Sequence, residues 1–383
     1  MKSARNWGRL GMKFNRYTLS DLATIKYGKN QKKVLSDDGN VPIFGTGGLM
    51  GFATTSLYDK PSVLIGRKGT IGKVKFVEQP FWTVDTLFYT IINTDIVIPK
   101  YLFYVMSLMD LNNYNEGTTI PSLRTETLNR LEFDIPDLEE QRKVLSCLNP
   151  IDEKIELNNA INNNLEQQMQ TLFKEFLSSN ESGKLTTVEK VVLTANTGAD
   201  AIQKAPIVDY DTGIRCIRVG DMTNSRSFYE WGFTKVTDKV FKRYQLHKDD
   251  IVVTRTASLG LNTIISEDLS AVYNNGLIRL TVDTSRMLPL YLYRQFQTED
   301  FENYITRIES ETSVRPNMKI NYLLKYEFVL PSISKQSELI ELLTPMLNKQ
   351  NSLVSENKQL ESLRDTLLPK LMSGELDVSG IDL

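Results

Sequence analysis

The side chains that could do chemistry are mostly basic, because the other reactive types lack the partners they need. There is one histidine, His247, and there are two cysteines, Cys147 and Cys216. A lone imidazole excludes most histidine-based triads, and two thiols without paired histidines cannot close a zinc site. No Walker-type phosphate loop, dinucleotide fingerprint, histidine-based metal motif or nucleophile elbow is present. Gly45-Thr46-Gly47-Gly48 and Gly66-Arg67-Lys68-Gly69-Thr70-Ile71-Gly72 are glycine-rich but lack the spacing and following helix of a phosphate cradle, so they read as turns. Carboxylates are scattered, and Asp137, Glu139 and Glu140 sit at a helix start, where they complement the dipole. What remains is cationic: Lys26, Lys29, Lys32 and Lys33; Arg67, Lys68, Lys73 and Lys75; Arg215, Arg218 and Arg226; Lys239, Lys242, Arg243 and Lys248. Such groups bind phosphates, and guanidinium forks also read base edges, although a charge run can equally be a solvated face.

The chain as a whole is not basic. Its 45 Lys and Arg are outnumbered by 47 Asp and Glu, for a net charge of −2, so any polyanion-binding surface must be local. At 383 residues, with 41% apolar and 24% charged side chains, two or more globular domains are expected. No apolar run approaches the roughly 20 residues that span a bilayer, and the N-terminus lacks a secretory apolar stretch. The expected location is the cytoplasm, without membrane contact or a disulfide framework.

These cations are distributed over a duplicated scaffold. Pro136 and Pro331 lie 195 residues apart, and Pro121/Pro316, Leu128/Leu323, Phe133/Phe328, Gln141/Gln336, Pro150/Pro345, Asn162/Asn357, Leu165/Leu360 and Leu172/Leu367 repeat at the same offset. A period that long means two complete modules in tandem rather than a solenoid. β-rich runs in the first module, Ser62 to Ile65 and Leu87 to Ile92, precede a short helix from Tyr101 to about Leu111. In the second, runs at Ile214 to Val219, Ile251 to Thr254 and Leu277 to Val282 precede a helix near Leu290 to Gln297. Each module therefore reads as α+β. The expected boundaries are an N-terminal extension over 1–16, a first module over 17–136, a helical segment over 137–180, a second module over 181–331, and a helical segment with tail over 332–383.

Pro150 and Pro345 predict a break in each helical segment, with a longer piece of roughly 28 residues, or roughly 40 Å, following it. Seam positions in the first segment include Ile155, Asn162, Leu165, Met169 and Leu172, and in the second Leu353, Asn357, Leu360, Leu367 and Leu371. That spacing predicts antiparallel pairing of the two segments as a coiled-coil spacer. Asn162 and Asn357 fall at equivalent seam positions. Either they set the register or the seam is open there.

Three paired segments carry a resemblance. Val41 to Gly45 matches Ile214 to Asp221, Leu64 to Gly72 matches Val252 to Gly260, and Thr118 to Leu123 running into Phe133-Asp134-Ile135-Pro136 matches Ser313 to Met318 running into Phe328-Val329-Leu330-Pro331. In this duplicated order, with long helices after each module, about residues 17 to 378 resemble the specificity subunit of a type I restriction-modification system. The resemblance implies a non-catalytic reader of double-stranded DNA in bacterial defence. Two target-recognition domains of mixed α/β build would be related by a pseudo-twofold axis and separated by an antiparallel pair of helices. It implies docking of two methyltransferase subunits and then of restriction subunits. It also places S-adenosylmethionine, ATP and Mg in those partners, with no metal or cofactor in this chain.

Two readers separated by a rod would recognise two short blocks and ignore the bases between. Roughly 40 Å of rod corresponds to a little over one turn of duplex. The candidates for DNA contact are Arg67, Lys68, Lys73 and Arg124 in the first module, and Arg215, Arg218, Arg226, Arg255, Arg315 and Lys319 in the second. Loops at Lys26 to Asp38 and Ala195 to Pro206 differ, so the site should be asymmetric. Two rival readings are a pseudo-dimeric single-chain endonuclease, which would need acidic pairs at equivalent places in both modules, and an assembly adaptor that reads no DNA.

Overall fold

The computed structural model describes residues 12–179, 183–311 and 317–381. The chain divides into two compact units, one up to Asn159 together with everything from Val354, the other from Ala160 to Leu353.

The first unit runs through β1 (Phe14–Thr18), α1 (Leu19–Leu22), β2 (Ala23–Tyr27), β3 (Val41–Gly45), β4 (Gly48–Ala53), β5 (Ser62–Gly66), β6 (Val74–Val77), β7 (Trp82–Thr83), β8 (Leu87–Ile92), α2 (Pro99–Ser107), α3 (Thr125–Asn129) and β9 (Glu132–Pro136), then enters the long helix α4 (Leu138–Ser179). Its sheets are ordered β2-β8-β5-β6 and β4-β3-β7, with a separate β1-β9 ribbon. Every residue of β5 is buried, which is why it reads as a continuous apolar run rather than an alternating one. The sequence reading placed residues up to 16 in an extension. Instead Met12 is buried and Phe14 pairs with Pro136 at the start of the ribbon, because β9 would otherwise leave its backbone unpaired there.

The second unit repeats this plan through β10 (Lys184–Thr187), β11 (Val192–Thr197), β12 (Ile207–Val208), β13 (Arg215–Ile217), α5 (Val219–Thr223), β14 (Gly232–Thr234), α6 (Asp238–Tyr244), β15 (Ile251–Thr254), β16 (Asn262–Ile264), β17 (Ala271–Tyr273), β18 (Leu277–Val282), α7 (Pro289–Gln295), α8 (Glu299–Glu311), α9 (Ile320–Leu324) and β19 (Glu327–Leu330), followed by α10 (Ile333–Ser373). Its sheets, β11-β18-β15-β16, β12-β14-β13-β17 and β10-β19, correspond to those of the first. The parallel pairing of β3 with β7 recurs between β13 and β17. Two expectations shift. The run from Ile214 stops being a strand after Ile217, because the Asp221 carboxylate accepts the Arg218 amide at 2.9 Å and starts α5. The helix expected to reach Leu111 ends at Ser107, and Asp110 caps a separate turn by accepting from the Asn112 amide.

Neither proline breaks its helix. Pro150 lies inside α4 and Pro345 inside α10. Each costs one backbone hydrogen bond, but Leu148 and Ile151 around the first and Leu343 beside the second are buried, and that packing holds the helix continuous. Inside the first unit α4 and α10 run antiparallel: Arg364 meets Asp152 at 3.3 Å, and Lys154 and Asn158 both reach Glu356. In the second unit the Gln350 amide donates to the Asn162 carbonyl at 3.0 Å. Both helices also complete the module cores. Val144, Leu148, Leu367 and Leu371 join the first core, and Met169, Leu172, Phe173, Leu339 and Leu343 join the second. Leu353 is buried, while Ile155, Leu165 and Leu360 are half-buried.

Of the two asparagines that could set the register, only Asn357 does so through its side chain. Asn357 accepts from Asn158 at 2.8 Å and donates to Asn159 at 2.9 Å, whereas Asn162 contributes only its backbone carbonyl to the helix pairing. No helix among the described residues is long and apolar enough to cross a membrane.

Candidate nucleic-acid interface

One polar joint, repeated in both modules, sets the frame. The buried Gln141 accepts from the Ile98 amide and donates to the carbonyls of Ile96 and Pro136, each at 2.8 Å. The buried Gln336 does the same with the Leu288 amide at 2.8 Å and the carbonyls of Pro331 at 2.9 Å and Arg286 at 3.5 Å. Each glutamine thereby locks a long helix to the turn that begins α2 or α7.

Within this frame, a pair of arginines braces the loops beyond β5 and β15. Arg67 donates to the Asp85 carbonyl at 2.8 Å and accepts through its own carbonyl from Leu123 at 2.9 Å. Arg255 donates to the Asn275 carbonyl at 3.1 Å and accepts from Met318 at 2.8 Å, and its guanidinium also reaches the Met318 carbonyl and the Asn317 side chain. The residues two positions on, Gly69 at φ +86° and Ala257 at φ +61°, share the left-handed conformation that turns each loop.

In the second module these loops border an open cleft of about 630 Å³. Arg218, Arg226, Arg255, Asn274, Asn275 and Asn317 line it. Asp221, only 1% exposed, accepts from Arg226 at 3.2 Å and lies 3.7 Å from the Arg218 guanidinium. Three arginines and three asparagines lining one cleft supply the donors and acceptors that suit guanine and adenine edges. Sequence reasoning found the arginines but missed Asp221 and the asparagines. The Arg218-to-Asp221 spacing of a helix start was available as a signal. Asn274-Asn275-Gly276 reads only as a turn until the fold carries it to the cleft.

The other candidates lie elsewhere. Arg215 stacks over Phe233 at 4.0 Å and donates to the Trp231 carbonyl, so its charge supports the small sheet. Lys319 is exposed at the start of α9, and Arg124 occupies the equivalent position before α3, paired with Glu116 at 3.1 Å. Arg315 lies outside the described residues. Lys68 is exposed beside Arg67, whose guanidinium rests over Tyr27 at 5.1 Å. Lys73 lines a different cavity, of about 480 Å³, with Tyr104 of α2 and Arg364 of α10. Burial pushes the Cys216 thiol up to about 12 and also raises that of Cys147, which leaves both poor nucleophiles.

The comparisons agree with this duplicated plan. Residues 12–167 and 195–362 match the family model described as the type I restriction modification DNA specificity domain. The type I restriction enzyme HindI specificity subunit of Haemophilus influenzae is 24% identical over 388 residues, covering 80% of this chain and 84% of that protein. The MjaIX specificity subunit of Methanocaldococcus jannaschii is also 24% identical, covering 85% and 80%. The crystal structure of a type I restriction-modification S subunit from M. genitalium shares the fold, with a TM-score of 0.55 at 16% identity over 94% of this chain and 96% of that one.

Proposed function

This chain belongs to the type I restriction-modification DNA specificity family, and from that premise we propose that it reads a bipartite, asymmetric site in duplex DNA, one block per module. The observation that carries the reading is the convergence of Arg218, Arg226, Arg255, Asn274, Asn275 and Asn317 on one open cleft in a chain whose net charge is −2. Such a surface is local and rich in bidentate hydrogen-bonding groups, as sequence reading requires, rather than diffusely positive. Asymmetry follows from the modules' unlike loops: the first has the tight turn between β3 and β4 where the second inserts α5.

In this reading the paired helices α4 and α10 act as the spacer and, with their exposed faces, as the scaffold for two methyltransferase subunits and for restriction subunits. S-adenosylmethionine, ATP and Mg would belong to those partners, and this chain would do no chemistry of its own. The complex would work in the cytoplasm, where its DNA lies.

Footprinting with the full chain, alone and with its methyltransferase subunits, tests the proposal. Two short protected blocks flanking an unprotected spacer are expected. One continuous block would refute a bipartite reader, and salt-independent binding would refute a DNA interface altogether.

A further inference from the structure

Building on the reading above, we propose that Arg226 is a guanine-reading residue of the second module and that Asp221 is the positioning residue that holds it. Three independent restraints converge on this one surface arginine. Its guanidinium donates to the Asp221 carboxylate at 3.2 Å, and its amide donates to the Asp221 carbonyl at 2.8 Å. Its own carbonyl accepts from the buried Trp231 indole at 3.0 Å. The residue before it, Ser225, sits at φ +50°, a left-handed conformation that a non-glycine residue rarely adopts. That strained turn after α5 swings Arg226 back over Asp221 and leaves its side chain 46% exposed at the edge of the cleft.

A phosphate contact needs none of this. A mobile cation, such as the exposed Lys68 offers, serves as a point charge for the backbone. Burying a carboxylate is costly unless its partners are well placed, and a strained residue persists only where its surroundings hold it. Both features make sense when a planar fork must be presented within a few tenths of an ångström, which is the tolerance of a bidentate contact to guanine O6 and N7. Arg218, with its amide on the same carboxylate and its guanidinium 3.7 Å away, completes a pair whose orientation Asp221 sets. The first module has no counterpart, since β3 and β4 are joined there by Thr46-Gly47 alone. Guanine reading by this device therefore belongs to one half-site.

The experiment selects preferred duplexes from a random library with the full chain, then replaces each guanine of the enriched site, one at a time, with 7-deazaguanine, which lacks the N7 acceptor. For the unmodified chain, one replacement in a single block should weaken binding by about 10- to 100-fold. Arg226→Ala should lose a similar factor on the natural site and become indifferent to that replacement, with an unchanged slope of affinity against salt. Asp221→Asn should show the same loss of base selectivity at a melting temperature close to that of the unmodified chain. If that variant melts early, the Arg226→Ala result decides alone. Uniform weakening of all sequences by Arg226→Ala, with a salt slope lower by about one, would make Arg226 a phosphate contact and overturn the assignment. An enriched site without guanine in either block would also overturn it. Failure of the unmodified chain to enrich any sequence would instead bring down the DNA-reading proposal on which this one rests.

Discussion

The loop between β3 and β4 and the segment between β13 and β14 occupy the same place in the two modules, yet one is a two-residue turn and the other carries a helix, a strained serine and a buried aspartate. The second module also adds β12, α6 and α8, but the four-stranded sheet order, the parallel pair, the arginine brace and the glutamine joint all recur. On the proposed reading, the contrast separates residues that hold a module together from residues that would tell it what to bind. Framework groups bond to backbone, which any sequence supplies. The proposed reader pair Arg218 and Arg226 instead shares the Asp221 side chain and leaves a face to solvent.

Disrupting the shared framework should have the largest effect, and an equal one in both units. Gln141→Ala and Gln336→Ala each strand one amide and two carbonyls in the interior, so each should cost about 2 to 4 kcal/mol. Urea unfolding gives the measure. A large loss for one variant and a negligible loss for the other would show that the modules are not built alike.

The arginine brace probes the boundary between frame and reader. Arg255 makes three side-chain bonds to its loop, including one to Asn317 in the cleft, whereas Arg67 makes one and a ring contact. Arg255→Ala should therefore weaken binding to one block of the site by about 2 kcal/mol, roughly 30-fold, through misplaced neighbours as well as a lost cation. Arg67→Ala should affect the other block less. Competition with duplexes mutated in one block at a time reads both, and equal weakening of both blocks by either variant would point to global unfolding instead.

The helices show what the amino-acid sequence made legible and what it did not. The 195-residue period identified two modules and two helices, and the mostly apolar runs Ser62 to Ile65 and Ile251 to Thr254 located the central strands. The same offset misled at the seam. In an antiparallel pair one partner's number falls as the other's rises, so Asn357 meets Asn158 and Asn159 rather than its repeat-equivalent Asn162. The prolines misled for a related reason, since local backbone cost was visible and the packing that overrides it was not. At the cleft, charge clusters were legible as residue types, but Asn274, Asn275 and Asn317 reach it only through the crossing of β17, β18 and the segment before α9. No local pattern announces such a meeting.

That correction can be sharpened at the seam itself. Asn357→Ala removes the bonds to Asn158 and Asn159, leaving Asn158 its contact with Glu356, and should cost about 1 to 2 kcal/mol, while Asn162→Ala should cost under about 0.5 kcal/mol because only its backbone is engaged. Comparable losses would restore the equivalence that the repeat implied.

The smallest effect compares the two loops at their left-handed residue. Gly69 at φ +86° meets nothing closer than the Thr46 hydroxyl at 3.9 Å from where a Cβ would stand, so Gly69→Ala pays only the backbone cost, a net loss of about 0.5 to 1 kcal/mol. Ala257 already bears that cost at φ +61°. Ala257→Gly relieves it while loosening the unfolded chain, and the two terms leave a net change from about zero to about 1 kcal/mol of stabilisation. Opposite signs in matched thermal melts would establish that both loops are built on one backbone conformation, which the second module holds against its own side chain. If Ala257→Gly destabilised by as much as Gly69→Ala, the methyl would have to be packing into the cleft wall, and the loops would be alike in trace but not in what holds them.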